Sequence, residues 1–202
     1  MATEPMVFVV DDEEQIRRPL ALLLREAGFK VESFGSAESF LATYEGEPGC
    51  LLLDIRLAGA MNGLDLQQAL AERGHGLPIV FMSAYANVPT TVQAIKAGAV
   101  DVLEKPFDTE ALVGRVRTAI EHGMQNYARR KELAAELEKL SRRQREVMQL
   151  LLEARDTKEI ARTLGISPKT VEKHRANVLL KMRVDNVVGL MRHLMPNEVA
   201  AL

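Results

Sequence analysis

A parallel β-sheet covered on both faces by helices, followed by a second, all-helical module, is the architecture this sequence predicts. Short apolar runs rich in Val, Ile, Leu and Phe recur through the first half, at 7–10, 30–34, 50–54, 78–82 and 100–104. Their starts lie about 20 to 28 residues apart, which leaves room for a strand plus a crossover helix. After Lys105-Pro106-Phe107 these runs stop and helical spacing takes over.

VFVV (7–10) reads as the first strand, and Ile16, Leu20, Leu23 and Leu24 form the apolar stripe of the helix after it. KVESF (30–34) is the second strand and CLLLD (50–54) the third, with Leu64, Leu66 and Leu70 marking the next helix. PIVFM (78–82) is the fourth, and Val88, Val92 and Ile95 stripe its helix. VDVLE (100–104) is the fifth. All five are expected to be buried, as strands of parallel sheets are. Residues 108–140 hold no proline, and Val113, Val116, Ile120, Met124 and Tyr127 keep a three/four spacing that Leu133, Leu137 and Leu140 resume on a shifted face. This predicts a long helix or helix pair acting as a linker; the alternative is a dimerising coiled coil, whose heptad seam Arg130 and Lys131 interrupt. Four short helices follow. Ser141 with Gln144, and Asp156 with Glu159, fit reciprocal caps. Gly165 ends the second of these helices, Ser167-Pro168 opens a third that runs to about Met182, and the last covers about 186–195.

The chain has 202 residues, of which 47% are apolar and 27% charged, an ordinary globular composition that excludes disordered and collagen-like classes. No apolar run approaches the ~18 residues of a membrane span. The N-terminus lacks the basic flank of a secretory signal. A single cysteine, Cys50, excludes an intrachain disulfide, and four scattered histidines argue against a zinc site. The expected compartment is the cytoplasm. The net charge of −2 hides a split: residues 1–123 carry 10 basic and 18 acidic side chains, net −8, and residues 124–202 carry 16 and 10, net +6. A basic module joined to an acidic one points to a polyanion as partner of the second, most often nucleic acid.

Asp11 and Asp12 follow the first strand directly, Asp54 ends the third, Ser83 follows the fourth and Lys105 the fifth. In a parallel sheet all of them reach the crevice beyond the strand ends, where ligands bind. Clustered carboxylates repel unless a cation holds them, and hard oxygen ligands favour Mg²⁺. An ionised Asp54 in such a place can attack phosphorus.

These residues, with Ser83-Ala84 and Lys105-Pro106-Phe107, resemble the receiver domain of bacterial two-component response regulators over residues 5–123. The resemblance implies a flavodoxin-like fold with a five-stranded parallel sheet. It makes Asp54 the phosphoacceptor, with Asp11, Asp12, Asp54 and the backbone carbonyl of Arg56 as Mg²⁺ ligands. Ser83 becomes the switch hydroxyl and Lys105 the phosphate-sensing cation, and the phosphodonor is a phosphohistidine on a sensor histidine kinase. Three departures stand out. Leu57-Ala58 replaces the family's Met-Pro, and Gly63 lies nine rather than eight residues past Asp54, so the loop beside the metal holds one extra residue. Val102 stands where the family often has the Phe or Tyr that turns inward on activation. Arg56 and Tyr85 stand where side chains tune the lifetime of the phosphate.

In TKEIARTLGISPKTVEKHRANVLLKM (157–182), two helices meet at a glycine turn, and the second turns Lys169, Glu172, Lys173, Ala176 and Leu180 outward while Val171, Val178 and Met182 face in. That is the pattern of a helix-turn-helix, whose second helix enters the major groove. With 141–195 around it, the stretch resembles the output domain of LuxR/NarL/FixJ-type regulators. The resemblance makes 168–182 the recognition helix, with Glu172, Lys173 and Ala176 near base edges and Lys169, Thr170, His174, Asn177 and Lys181 near phosphates.

The domains read as a receiver at 1–123, a helical linker at 124–140 and a LuxR-type DNA-binding domain at 141–202. The function expected is a DNA-binding transcriptional regulator, phosphorylated on Asp54 by a sensor histidine kinase. Its partners would be promoter DNA, a second copy when phosphorylated, and RNA polymerase. The receiver would assist only its own phosphoryl transfer and dephosphorylation. Two rivals are a regulator that binds DNA without phosphate, kept open by the extra loop residue and Val102, and an aspartyl-nucleophile phosphohydrolase. The latter often carries a second acid two residues past the nucleophile, where this chain has Arg56.

Overall fold

The computed structural model describes residues 4–84 and 88–194, and divides into two compact units, Met1–Ala128 and Arg129–Leu202. The first is built from β1 (Met6–Val10), α1 (Glu14–Glu26), β2 (Lys30–Phe34), α2 (Ala37–Thr43), β3 (Gly49–Asp54), α3 (Gly63–Glu72), β4 (Ile79–Ser83), α4 (Val88–Lys96), β5 (Asp101–Glu104) and the start of α5 (Thr109–Glu138). The five strands are all parallel, in the order β2-β1-β3-β4-β5.

Side chains alternate between the two faces of the sheet, as the two-residue period of a strand requires. Phe8, Val10, Leu51, Leu53 and Phe81 pack with Phe40 of α2, Leu66 and Leu70 of α3 and Ala94 of α4. Val7, Val9, Cys50, Leu52, Val80 and Met82 pack with Leu20 and Leu24 of α1 and Leu112, Val116 and Ala119 of α5. Because both faces of β1, β3 and β4 are covered, these strands are apolar up to their C-terminal ends, where Asp54 and Ser83 close β3 and β4. The expectation that all five are buried fails at the edges: in β2, Lys30, Glu32 and Ser33 are exposed, since an edge strand needs no apolar residue on its open side.

Two helical stripes also differ from the sequence reading. Val88, Val92 and Ile95 of α4 are exposed, at 75%, 43% and 43%, and the helix packs through Ala94 instead. In α5 the buried face is Leu112, Val116, Ala119 and Gly123, one position off the predicted Val113-Val116-Ile120 stripe. The offset follows from close packing: a Cβ on Gly123 would stand 1.9 Å from the Gly49 carbonyl oxygen, so the helix lies directly against the main chain at the start of β3.

The second unit holds α6 (Arg142–Leu152), α7 (Thr157–Leu164), α8 (Pro168–Lys181) and α9 (Val187–Leu194); residue 195, where the predicted last helix ended, lies outside the described residues. Its caps are the predicted ones. Ser141–Gln144 and Asp156–Glu159 form reciprocal capping boxes, Gly165 closes α7 at φ 64°, and Ser167 accepts the Thr170 N–H with Pro168 in the first turn. Val147, Leu151, Ile160, Ala161 and Val171 make one core cluster. Leu140, Val178, Met182 and Leu190 make another, against which Leu133 and Leu137 pack. The division between the two units falls within residues 124–140, after Ala128.

Two glycines of α5 test this reading. Gly114 has open space around its missing Cβ, so Gly114→Ala should stabilise the receiver transition by about 0.5–1 kcal/mol through helix propensity. Gly123→Ala should destabilise it by about 2 kcal/mol or more, since the new methyl meets backbone that cannot yield cheaply. Denaturant unfolding of the two variants checks the opposite signs.

Candidate functional site

Parallel register assembles the first site. Val10 pairs with Leu53, and Asp54 with Met82, so Asp11, Asp54 and Ser83 all sit at the same end of the sheet. Ser83 pairs with Glu104, which sets Lys105 one residue beyond. The Lys105 N–H donates to the Ser83 carbonyl at 2.7 Å, holding that turn on the sheet.

The Lys105 ammonium donates to Asp11 Oδ2 at 2.8 Å and to Asp54 Oδ2 at 2.5 Å. The other oxygens are held by main chain: the Glu13 N–H donates to Asp11 Oδ1 at 2.9 Å and the Arg56 N–H to Asp54 Oδ1 at 2.8 Å. Asp11 is completely buried. Burial pushes its pKa up from the ordinary carboxylate range, against the opposing pull of Lys105. Burial by itself would lower the pKa of Lys105, but its bonds to Asp11 and Asp54 outweigh that and raise it.

The carboxylates do not form the expected threesome. Asp12 is half-buried, and among the described residues no three His, Cys, Asp or Glu side chains lie close enough together to hold a metal. Lys105 bridges Asp11 and Asp54, offsetting one of their two negative charges, and leaves Asp12 outside the pair. Ser83 is buried at the end of β4, and Val102 is half-buried and packs on the core beneath. The Arg56 side chain is exposed, and Tyr85 lies outside the described residues.

Two residues that hold the site in shape were not singled out as site residues from the sequence. Arg17 Nη1 donates to the Asp11 carbonyl at 2.6 Å and to that of Asp12 at 3.4 Å, tying the acidic loop to α1. A Cβ on Gly63 would stand 2.3 Å from the Asp54 carbonyl oxygen, so only glycine lets α3 start this close to the end of β3. The position of Gly63 after Asp54 was the available signal. For Arg17 it was a single cation in the first turns of α1.

The second site is the outer face of α8. Lys169, Glu172, Lys173 and Ala176 are exposed, while Thr170, His174 and Asn177 are half-buried. The Thr170 hydroxyl lies 2.8 Å from that of Ser167, and His174 Nδ1 is enclosed without a hydrogen-bond partner. Lys181, expected near phosphates, turns inward: its ammonium donates to the Lys139 carbonyl at 2.7 Å and to Gln144 Oε1 at 2.8 Å, fastening the end of α8 to the start of α6.

A five-stranded parallel receiver sheet with an acid–lysine cluster at its strand ends, followed by a helix-turn-helix, defines a regulator rather than a catalytic enzyme. Residues 7–117 match the response regulator receiver domain, and residues 138–194 match the bacterial regulatory proteins of the luxR family. The chain is 40% identical to the response regulator protein TmoT of Ectopseudomonas mendocina over 94% of this chain and 87% of that one. It is 40% identical to the transcriptional regulatory protein FixJ of Azorhizobium caulinodans over 92% and 90%. Among solved structures, full-length FixJ from B. japonicum matches over the whole of both chains at 35% identity and a TM-score of 0.57, and the response regulator StyR over 95% and 98% at 38% identity and 0.62. The chain belongs to the two-component response regulators with a LuxR-family output domain, which are phosphorylation-dependent transcriptional regulators. Among the described residues, no helix is long and apolar enough to cross a membrane.

The raised pKa of Asp11 has a measurable consequence. A carboxylate whose folded pKa lies above its unfolded value contributes stability below the ordinary carboxylate range, and that contribution is lost as pH rises through the raised value. Asp11→Asn removes the buried charge while Asp54 still pairs with Lys105. In EDTA at pH 7.5 its receiver should therefore melt higher than wild type, with the difference shrinking towards pH 4. Thermal unfolding across that range checks both sign and trend.

Proposed function

We propose that Asp54 is the phosphoacceptor and that its phosphorylation controls how the second unit engages promoter DNA. The observation that carries this reading is the single ammonium shared by Asp11 and Asp54: a carboxylate at a strand end, with a cation beside it, is equipped to take a phosphoryl group. Asp54 Oδ attacks the phosphorus of a phosphohistidine on a sensor histidine kinase. The P–N bond breaks as the P–O bond forms, and the histidine nitrogen leaves with the electron pair of the broken bond. Lys105 meets the charge on the new phosphoryl oxygens, and Ser83, at the end of the neighbouring strand, supplies a hydroxyl for them.

The donor chemistry suits Mg²⁺. Asp11, Asp12, Asp54 and the Arg56 carbonyl offer hard oxygens only, but the three carboxylates are not gathered around one point, so Mg²⁺ would have to draw Asp12 towards the Asp11–Asp54 pair. Bound there, Mg²⁺ would offset negative charge during phosphoryl transfer. Arg56 and Tyr85 are assigned the tuning of phosphate lifetime. Val102 leaves the relay without the family's aromatic rotor, so the signal passes through Ser83 and the adjoining main chain.

The exposed Val88, Val92 and Ile95 of α4 support pairing of phosphorylated receivers, since a contiguous apolar stripe is costly to leave in water. A pair presents two copies of α8 to two half-sites. Glu172, Lys173 and Ala176 face base edges, and Lys169, Thr170, His174 and Asn177 the phosphates. Lys181 serves the helix's attachment rather than a phosphate contact. We place the protein in the cytoplasm, with RNA polymerase as a further partner at the promoter.

The test compares wild type with Asp54→Asn in Mg²⁺, with and without acetyl phosphate, by sedimentation and DNA binding. Donor-driven dimerisation and a tenfold or greater gain in affinity (~1.4 kcal/mol) in wild type alone are expected. Affinity should also fall steeply with salt. Identical, donor-insensitive behaviour of both proteins, with phosphate present on wild type by mass, would overturn the proposed control.

A further inference from the structure

The recognition helix carries one acid, Glu172, which is exposed to solvent yet hydrogen-bonded across to the neighbouring helix. The Thr157 hydroxyl donates to Glu172 Oε1 at 2.6 Å, and Arg175, one turn further along α8, brings Nη1 to 3.9 Å of the same oxygen. Both contacts fall on Oε1. Thr157 is itself well fixed, as the first residue of α7 behind the Asp156–Glu159 capping box. A carboxylate on the face a protein turns to a polyanion costs binding wherever it meets phosphate, and holding it still deepens that cost. The arrangement is favourable only where the second oxygen meets a hydrogen-bond donor. In the major groove the donors are the amino groups of cytosine and adenine, and an acidic side chain pairs with the cytosine N4 amino group. Glu172 is the fifth residue of α8, within the N-terminal part of a recognition helix that reaches bases.

We propose that Thr157 is a specificity-positioning residue: it orients the Glu172 carboxylate so that α8 reads a cytosine in each half-site. The proposal rests on the reading of α8 as the DNA-contacting helix and adds to it which base pair is selected and what holds the reader in place. One fixed oxygen leaves one direction for the other. A thymine at that position would present its O4 acceptor to the carboxylate and be rejected.

The test selects binding sites from randomised duplex DNA with the full-length protein, in Mg²⁺ and acetyl phosphate. It compares wild type with Thr157→Val, Thr157→Ala, Thr157→Ser and Glu172→Gln. Wild type should select a half-site with one invariant cytosine. Glu172→Gln should move the preference at that position to adenine, the base whose N6 and N7 an amide matches. Thr157→Val and Thr157→Ala should keep the same motif but lose about tenfold of the cytosine-over-thymine discrimination there, the order of one charge-assisted hydrogen bond. Thr157→Ser should restore it. Titrations by fluorescence anisotropy on the cytosine and thymine operators give the ratio, and thermal unfolding shows that the variants remain folded.

If Glu172→Gln changes the base preference while Thr157→Val and Thr157→Ala discriminate as wild type does, Thr157 has no positioning role and the proposal falls, with the reading of α8 intact. If Glu172→Gln leaves the motif unchanged, Glu172 reads no base and the proposal falls with it. If wild type selects no motif at all, the reading of α8 as a base-reading helix fails, and the proposal with it.

Discussion

Asp11 and Asp54 stand 43 positions apart in sequence and share one ammonium, that of Lys105. Two ionised carboxylates are costly to bring together in a desolvated place without a cation between them, and much of the first unit is arranged to meet that condition. The order β2-β1-β3-β4-β5 puts the strands bearing Asp11 and Asp54 side by side and the strand bearing Ser83 next to them. Lys105 reaches across from the far edge because its main chain is pinned to Ser83. Arg17 holds the carbonyls of the acidic loop, and Gly63 lets α3 begin against Asp54 itself. The same condition makes the site responsive. Its charge balance rests on one cation, so the proposed phosphorylation of Asp54 would compete for the bonds that Lys105 makes to Asp11 and Asp54.

The second unit is organised by shorter-range rules. Its helix starts are written in neighbouring residues: Ser141 with Gln144, Asp156 with Glu159, Ser167 with Pro168. Gly165, at a positive φ that other residues adopt only with strain, turns the chain between α7 and α8. With the turn and caps set locally, Val171, Val178 and Met182 need only fill the core to leave a polar face outward. Lys181 then trades a place on that face for two bonds at the base of α6.

This difference in range explains what could be read from the sequence. Caps and turns of the second unit were legible residue by residue because each involves partners at most three or four positions apart. The five strands were legible from their apolar runs, and the acid–lysine set from its position at their ends. What escaped were features decided by distant neighbours. KVESF reads as a strand, but only the sheet order shows that it lies at an edge and stays wet. Val88, Val92 and Ile95 have core-like spacing, yet α4 packs through small Ala94 and leaves them outside. The α5 face is displaced because Gly123 rests on Gly49, a contact no periodicity reveals. Asp12 adjoins Asp11 in sequence but stays apart from the bridged pair, and the bond from Thr157 to Glu172 crosses between two helices whose spacing alone says nothing about it.

The charge division between the units constrains how one can act on the other. Residues 1–123 carry a net −8 and residues 124–202 a net +6. An aspartyl phosphate carries about −1.5 to −2 where the free carboxylate carried −1, so phosphorylation adds about −0.5 to −1 to the side that is already acidic, and direct electrostatics can only weaken the attraction of the whole chain to DNA. A gain in DNA binding on phosphorylation therefore has to arise from assembly or conformation, strongly enough to exceed that loss. Two chains held together convert the second half-site contact into an intramolecular event, and a gain in effective concentration of that kind is large enough to do so. Under the proposed pairing the acidic receiver would have a use of its own: an unpaired chain would be held off non-specific DNA by its own charge, and a paired one would overcome that penalty only where two half-sites are correctly spaced.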